Sequence, residues 1–148
     1  MRSILLAVAI ALAALVPLTA GASAQAAPTV QATTDATLGP ILTDGAGRTL
    51  YRYTPDPPDA STCDGGCAQA WPPLLLPEGD PVLAPDLPGT LGVITRSDGS
   101  RQVTYNGMPL YYFVSDTGPG MTTGQGVGGI WFVVAPVAPA DATPAATS

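Results

Sequence analysis

Histidine and lysine are both missing from this 148-residue chain, and its five basic residues, all arginines, stand against eleven carboxylates for a net charge of -6. Without an imidazole, nothing is present to activate Ser61, Ser97, Ser100 or Ser115 as a nucleophile; without an amine there is no Schiff base. A phosphate loop of the lysine-containing type is excluded as well, and an acidic surface repels phosphate backbones and anionic headgroups, so nucleic-acid and membrane-surface partners are not expected. Cysteine is almost as scarce, with Cys63 and Cys67 alone. The acidic residues are scattered without ligand spacing, so no metal, cofactor or catalytic residue is expected from them. Long apolar runs are confined to the start of the chain, where Arg2, then Ile4 to Val16, then Ala22-Ser23-Ala24 have the layout of an export signal over residues 1–24. No later segment approaches the roughly 20 apolar residues of a membrane helix. The mature chain is therefore expected to be soluble and extracytoplasmic, periplasmic or secreted, with no membrane insertion after cleavage.

What is plentiful is glycine and proline, 17 of each. Residues 25–37 are small and polar and read as a flexible linker, and residues 135–148, rich in Ala, Pro and Thr, read as a disordered tail. That leaves residues 38–134, enough for one compact core. Within them Gly, Pro, Asn and Asp punctuate short runs rich in Val, Ile, Thr, Tyr and Phe, the pattern of antiparallel strands. Asp44-Gly45-Ala46-Gly47 and Ser97-Asp98-Gly99-Ser100 read as hairpin loops, and Asn106-Gly107 as a tight turn. Cys63 to Ala70 is the one place for a short helical turn, ended by Trp71-Pro72-Pro73. Pro77 to Pro88 reads as an irregular surface crossover. The expected fold is all-β, a small antiparallel sandwich or barrel of six or seven short strands.

Residues 38–74 shifted by 60 fall on 98–134 with eight identities, among them Gly39 and Gly99, Leu50-Tyr51 and Leu110-Tyr111, Asp56 and Asp116, Gly66 and Gly126, and Trp71 and Trp131. Residues kept in both copies describe a fold built twice, since one active site has no need of two sets. Each copy carries Tyr, one residue, an aromatic, two residues, then Asp: Tyr51, Tyr53, Asp56 and Tyr111, Phe113, Asp116. On a strand, Tyr51 and Tyr53 share a face, as do Tyr111 and Phe113, with Leu50 and Leu110 turned the other way. The aspartates fall where a carboxylate fixes a turn. A paired acid and base on Asp56 and Asp116 is the weaker reading, because symmetric surroundings give two carboxylates no reason to differ in pKa.

Tyr-x-Tyr-x-x-Asp, Cys-Asp-Gly-Gly-Cys-Ala-Gln-Ala-Trp-Pro-Pro-Leu, Thr-Tyr-Asn-Gly-Met-Pro-Leu-Tyr-Tyr-Phe and Gly-Gln-Gly-Val-Gly-Gly-Ile-Trp-Phe-Val-Val together resemble the bacterial "secreted repeat of unknown function" family. These are exported proteins, often predicted lipoproteins, with a tandem Tyr-x-(Phe/Trp/Tyr)-x-x-Asp motif. The resemblance covers nearly all of residues 38–134 and implies no particular activity. The lipobox cysteine frequent in that family is missing here.

If shared residues build the fold, function lies where the copies diverge. Cys63 and Cys67 face Thr123 and Val127, and in an exported chain two such cysteines default to a disulfide. The alternative is a reduced pair that holds Cu(I) or does thiol redox work, with Met108 or Met121 adding a thioether. The other divergence, Gly118 to Gly129, formally contains G-x-G-x-x-G but precedes a strand, so no helix N-terminus is expected there. The leading expectation is a non-catalytic domain that recognises an extracytoplasmic ligand or protein through surplus aromatics such as Tyr105, Tyr112 and Phe132; a purely structural envelope role is the remaining alternative.

Overall fold

The computed structural model describes residues 26–137; the export signal (residues 1–24) and the tail beyond Val137 lie outside them. Within the described residues seven short strands run in chain order: β1 (Val30–Asp35), β2 (Gly39–Asp44), β3 (Tyr51–Tyr53), β4 (Leu91–Thr95), β5 (Arg101–Tyr105), β6 (Met108–Pro109) and β7 (Trp131–Val133), with one helix, α1 (Gly66–Ala70), after β3. They form antiparallel sheets β1-β2, β3-β7 and β4-β5-β6, joined by single bridges and not closed into a barrel. The all-β, two-repeat expectation holds, and the helical turn lies beside the cysteines as its residues suggest.

Two boundaries need correction. The supposed linker at residues 25–37 contains β1, which pairs with β2 from Val30↔Asp44 to Asp35↔Gly39. Its other edge is held by the proline-rich crossover, whose Val82 carbonyl accepts the Thr29 amide at 2.7 Å while the Ala84 amide donates to Val30 at 2.9 Å. Composition hides the strand because one side chain, the fully buried Val30, anchors it. At the other end, Val137 is not loose: its carbonyl accepts a bond from Asn106 Nδ2 at 3.0 Å, and its amide donates to the Tyr105 hydroxyl at 3.0 Å.

The turns are fixed by side-chain oxygens, as their composition suggests. Asp44 Oδ1 accepts the amides of Ala46 and Arg48, both at 2.9 Å. Asp35 Oδ1 takes those of Leu38 and Thr37, which hold its carboxyl below the usual carboxylate range, and Asp98 is held low by the Ser100 hydroxyl and amide. Asn106 and Gly107 turn the chain with φ of 48° and 80°.

An approximate dyad relates the halves and passes between Tyr51 and Tyr111, whose backbones exchange bonds of 2.8 and 2.9 Å. Every neighbouring contact is doubled: Val134 donates to Leu50 and Leu74 to Leu110, Thr54 to Ile130 and Val114 to Ala70, Leu42 to Val134 and Val103 to Leu74. The last pair exposes a slip in the sequence match. Val103, not Gln102, takes the place of Leu42, because the hairpin before Leu110 is one residue shorter than that before Leu50.

Alternation along the central strands sends side chains into two cores. Leu50, Leu110, Leu74 and Val134 point one way and pack with Val30, Leu42, Val103 and Tyr105. Tyr51, Tyr111, Trp71 and Trp131 point the other way and pack with Cys63. Each fully buried aliphatic side chain contributes about 1.5–3 kcal/mol. Among the described residues no helix is long and apolar enough to cross a membrane.

Candidate functional site

The second core is a column of four rings. Trp71 and Trp131 lie face to face across the dyad, centroids 3.9 Å apart and planes 2° from parallel. Tyr53 stacks outside Trp131 at 4.4 Å and Phe113 outside Trp71 at 4.2 Å. Tyr51 meets Trp71 edge-on at 5.4 Å, and Tyr111 meets Trp131 edge-on at 5.2 Å. The arrangement follows from register. Tyr53 is directly opposite Trp131 on the β3-β7 ladder, so both side chains stand on one face. Edge-on and stacked pairs add about 0.5–1.5 kcal/mol each beyond the area they bury.

The motif aspartates cross the dyad. Asp116 Oδ2 accepts the Tyr51 hydroxyl and Asp56 Oδ2 accepts the Tyr111 hydroxyl, each at 2.5 Å. The other oxygen closes the following loop: Asp56 Oδ1 takes the Thr62 amide and hydroxyl, both at 2.7 Å, and Asp116 Oδ1 takes those of Thr123 at 3.0 and 2.5 Å. The partner is Thr123, not the sequence-matched Thr122, a second one-residue slip. Gly66 and Gly126 are likewise unequal, since Gly126 has φ of 77° while Gly66 opens α1 without a positive φ. Burial pushes both hydroxyls well above the ordinary phenol range, and the facing carboxylates push in the same direction. Each carboxylate has both oxygens engaged, an arrangement suited to holding a turn and a ring in place.

The copies differ in what covers this column. In the first, Cys63 and Cys67 form a disulfide that staples the start of α1, with Cys63 fully buried against the rings. Under it lies Arg96, a residue that sequence reading passed over. Its side chain is 2% exposed. Nη1 donates to Ser61 Oγ at 2.8 Å and Gln102 Oε1 at 2.7 Å, and Nη2 to the Cys63 carbonyl at 2.6 Å and Asp64 Oδ1 at 3.0 Å. Ser61 in turn lies 2.7 Å from the Tyr111 hydroxyl. Because Tyr111 gives its proton to Asp56, Ser61 is the donor in that contact. Nothing local marks Arg96, because its partners are 32 to 35 residues away apart from Gln102.

In the second copy the glycine-rich segment takes the place of the stapled helix. Gly124 packs on the rings so closely that a Cβ there would lie 2.8 Å from both Trp71 and Tyr51, and its amide donates to the Tyr51 hydroxyl at 3.2 Å. A 3₁₀ turn at Val127–Gly129 follows. Val127 and Ile130 are exposed to 38% and 36%.

Other expected residues lie elsewhere or are committed. With both sulfurs bonded to each other, neither is a thiolate ligand for Cu(I). Met108 packs against the aliphatic core rather than beside the cysteines, and the Met121 sulfur accepts the Thr117 hydroxyl at 3.6 Å. Tyr105 is not a surface aromatic, being fully buried with its hydroxyl on the Pro88 carbonyl at 2.6 Å. Tyr112 carries Arg48 over its ring at 3.9 Å and donates to Asp44, and Arg52 lies over Phe132 at 5.5 Å. A cleft of about 260 Å³ lined by Leu75, Pro77, Gly99, Ser100 and Arg101 is smaller than usual for a small-molecule site.

The model of a protein family described as "secreted repeat of unknown function" matches the chain twice, over residues 32–75 and 92–135. The matches begin inside β1 and β4, the strands that open each structural unit. No curated protein and no solved structure matches the chain.

Proposed function

Because the chain belongs to the family of secreted repeats of unknown function, we propose that it works outside the cytoplasm, in the periplasm or at the cell surface, as a non-catalytic domain that recognises a protein partner. The observation that carries this reading is the engagement of both motif carboxylates. Asp56 and Asp116 each hold a tyrosine hydroxyl and a threonine amide and hydroxyl, which suits a scaffold.

Recognition then falls to what the scaffold displays. Val127 and Ile130 are exposed apolar side chains carried by the glycine-rich segment, one of the places where the copies diverge. A shallow apolar contact of this kind fits a protein surface better than a small ligand. The test is a chemical cross-linking pull-down from envelope extract with wild type and the V127D/I130D variant, alongside a glycan array. Retention of one protein by wild type and its loss from the folded variant supports the reading. Blank results from both screens, or equal retention by the variant, overturn it.

A further inference from the structure

The ring column has chemistry that packing alone does not require. Two indoles in face contact share a positive charge more easily than one, and each is touched edge-on by a phenol already bonded to a carboxylate. A phenol that loses an electron becomes strongly acidic, so it oxidises readily only where a base takes its proton. Asp116 and Asp56 stand at hydrogen-bond reach for that transfer.

Two differences between the copies give the column a direction. The half-buried outer rings are Tyr53 at one end and Phe113 at the other. A phenol ring is richer in electrons than a phenyl ring, so an oxidant in solution draws its electron from the column at the Tyr53 end, with the proton-coupled step left to the phenol that has a base. Inside, the buried Arg96 guanidinium is one hydrogen bond removed from the Tyr111 hydroxyl through Ser61. That positive charge opposes loss of an electron from Tyr111. The Tyr51 hydroxyl has the Asp116 carboxylate and the Gly124 amide as partners, and no cation contacts it among the described residues.

We propose that the column Tyr53, Trp131, Trp71 with Tyr51 and Asp116 is a one-electron site that draws an oxidising equivalent from a diffusible radical oxidant into the core and holds it on Tyr51. An electron leaves the column for the oxidant, which is reduced by one electron. The vacancy passes through the stacked indoles to Tyr51, and the hydroxyl proton moves to Asp116 Oδ2, leaving a neutral phenoxyl radical beside a neutral carboxylic acid.

The experiment is pulse radiolysis of the whole protein in azide solution, where the azidyl radical takes one electron and becomes azide. Transient absorption separates indolyl from phenoxyl radicals, and freeze-quenched paramagnetic resonance identifies the phenoxyl. An indolyl signal should decay as a phenoxyl signal grows, at a rate independent of protein concentration. Y51F and D116N should lose that phenoxyl, Y111F should keep it, and Y53F should slow formation of the first radical, with near-UV circular dichroism checking that each variant retains the stacked rings. If Y51F or D116N does not fold, the wild type in deuterated water decides, since a step that moves a proton is slowed there. Indolyl radicals that decay only by bimolecular reaction, a phenoxyl lost in Y111F instead of Y51F, or no effect of deuterated water would overturn the proposal.

Discussion

Removing the Asp116 carboxylate should destabilise the protein far more than removing its symmetry mate Asp56. In D116A the Tyr51 hydroxyl, fully buried and otherwise in contact only with the Gly124 amide, loses its acceptor, and the Thr123 amide loses another. A hydrogen bond to a charged group contributes about 1.5–3 kcal/mol, and a buried donor left alone costs about 1–3 kcal/mol, so the loss should be about 3–5 kcal/mol. In D56A the Tyr111 hydroxyl turns its freed proton to Ser61 Oγ at 2.7 Å, reversing the native direction of that bond, and the Thr62 groups turn to water. There the loss should be about 1–2 kcal/mol. The expected gap of about 2 kcal/mol moves a urea midpoint by about 1 M for a domain of this size. Urea titrations followed by fluorescence of the Trp71 and Trp131 pair measure both, with unchanged slopes confirming a shift in stability. Equal losses, or a larger loss in D56A, would refute the idea that Ser61 and its arginine give the first half a spare partner.

Three other outcomes are expected. Replacing Cys63 and Cys67 by serine should lower stability by about 2 kcal/mol, the chain-entropy value for so short a loop, without loss of the stacked-ring signal in near-UV circular dichroism. Tyr51, Tyr111 and Tyr112 have native hydroxyls raised above the ordinary 10.0, each chiefly by burial; the unfolded chain therefore loses protons first, and the contribution of these tyrosines to stability, constant below pH ~10, should fall above it by up to about 1.4 kcal/mol per pH unit per tyrosine. Thermal melts across that range would show a flat line if the phenols were exposed. G124A should cost about 1–3 kcal/mol by pressing a methyl group into Trp71 and Tyr51, and a melting temperature equal to wild type would mean that the segment yields freely.

The central architecture is legible wherever side-chain alternation decides it. Tyr51 and Tyr53, like Tyr111 and Phe113, go to one core while Leu50 and Leu110 go to the other, because period 2 is a property of the strand itself. The turns at Asp44 and Asn106 are legible for the same local reason. β1 is not, because its place depends on β2 and on residues 82–84, and its sequence carries one large apolar residue. The two one-residue slips escape an ungapped comparison: identities at Tyr, Asp and Trp fix the register on either side, while backbone bonds decide what happens between. Arg96 was invisible because a lone arginine between a strand and a turn reads as a solvated charge until the loop carrying Ser61, Cys63 and Asp64 is folded over it.

The crossed pairing of Tyr51 with Asp116 and Tyr111 with Asp56 leaves neither unit self-sufficient. A fragment ending within the crossover would carry a phenol without its acceptor, an acceptor without its phenol, and one naked indole, so it could satisfy all three only by embracing an identical fragment. Folding of the intact chain must accordingly wait for contacts 55 to 65 positions apart before either half gains its reward. Duplication followed by fusion would have turned such a self-pairing peptide into one polypeptide, freeing the halves to acquire separate coverings over an inherited, shared heart.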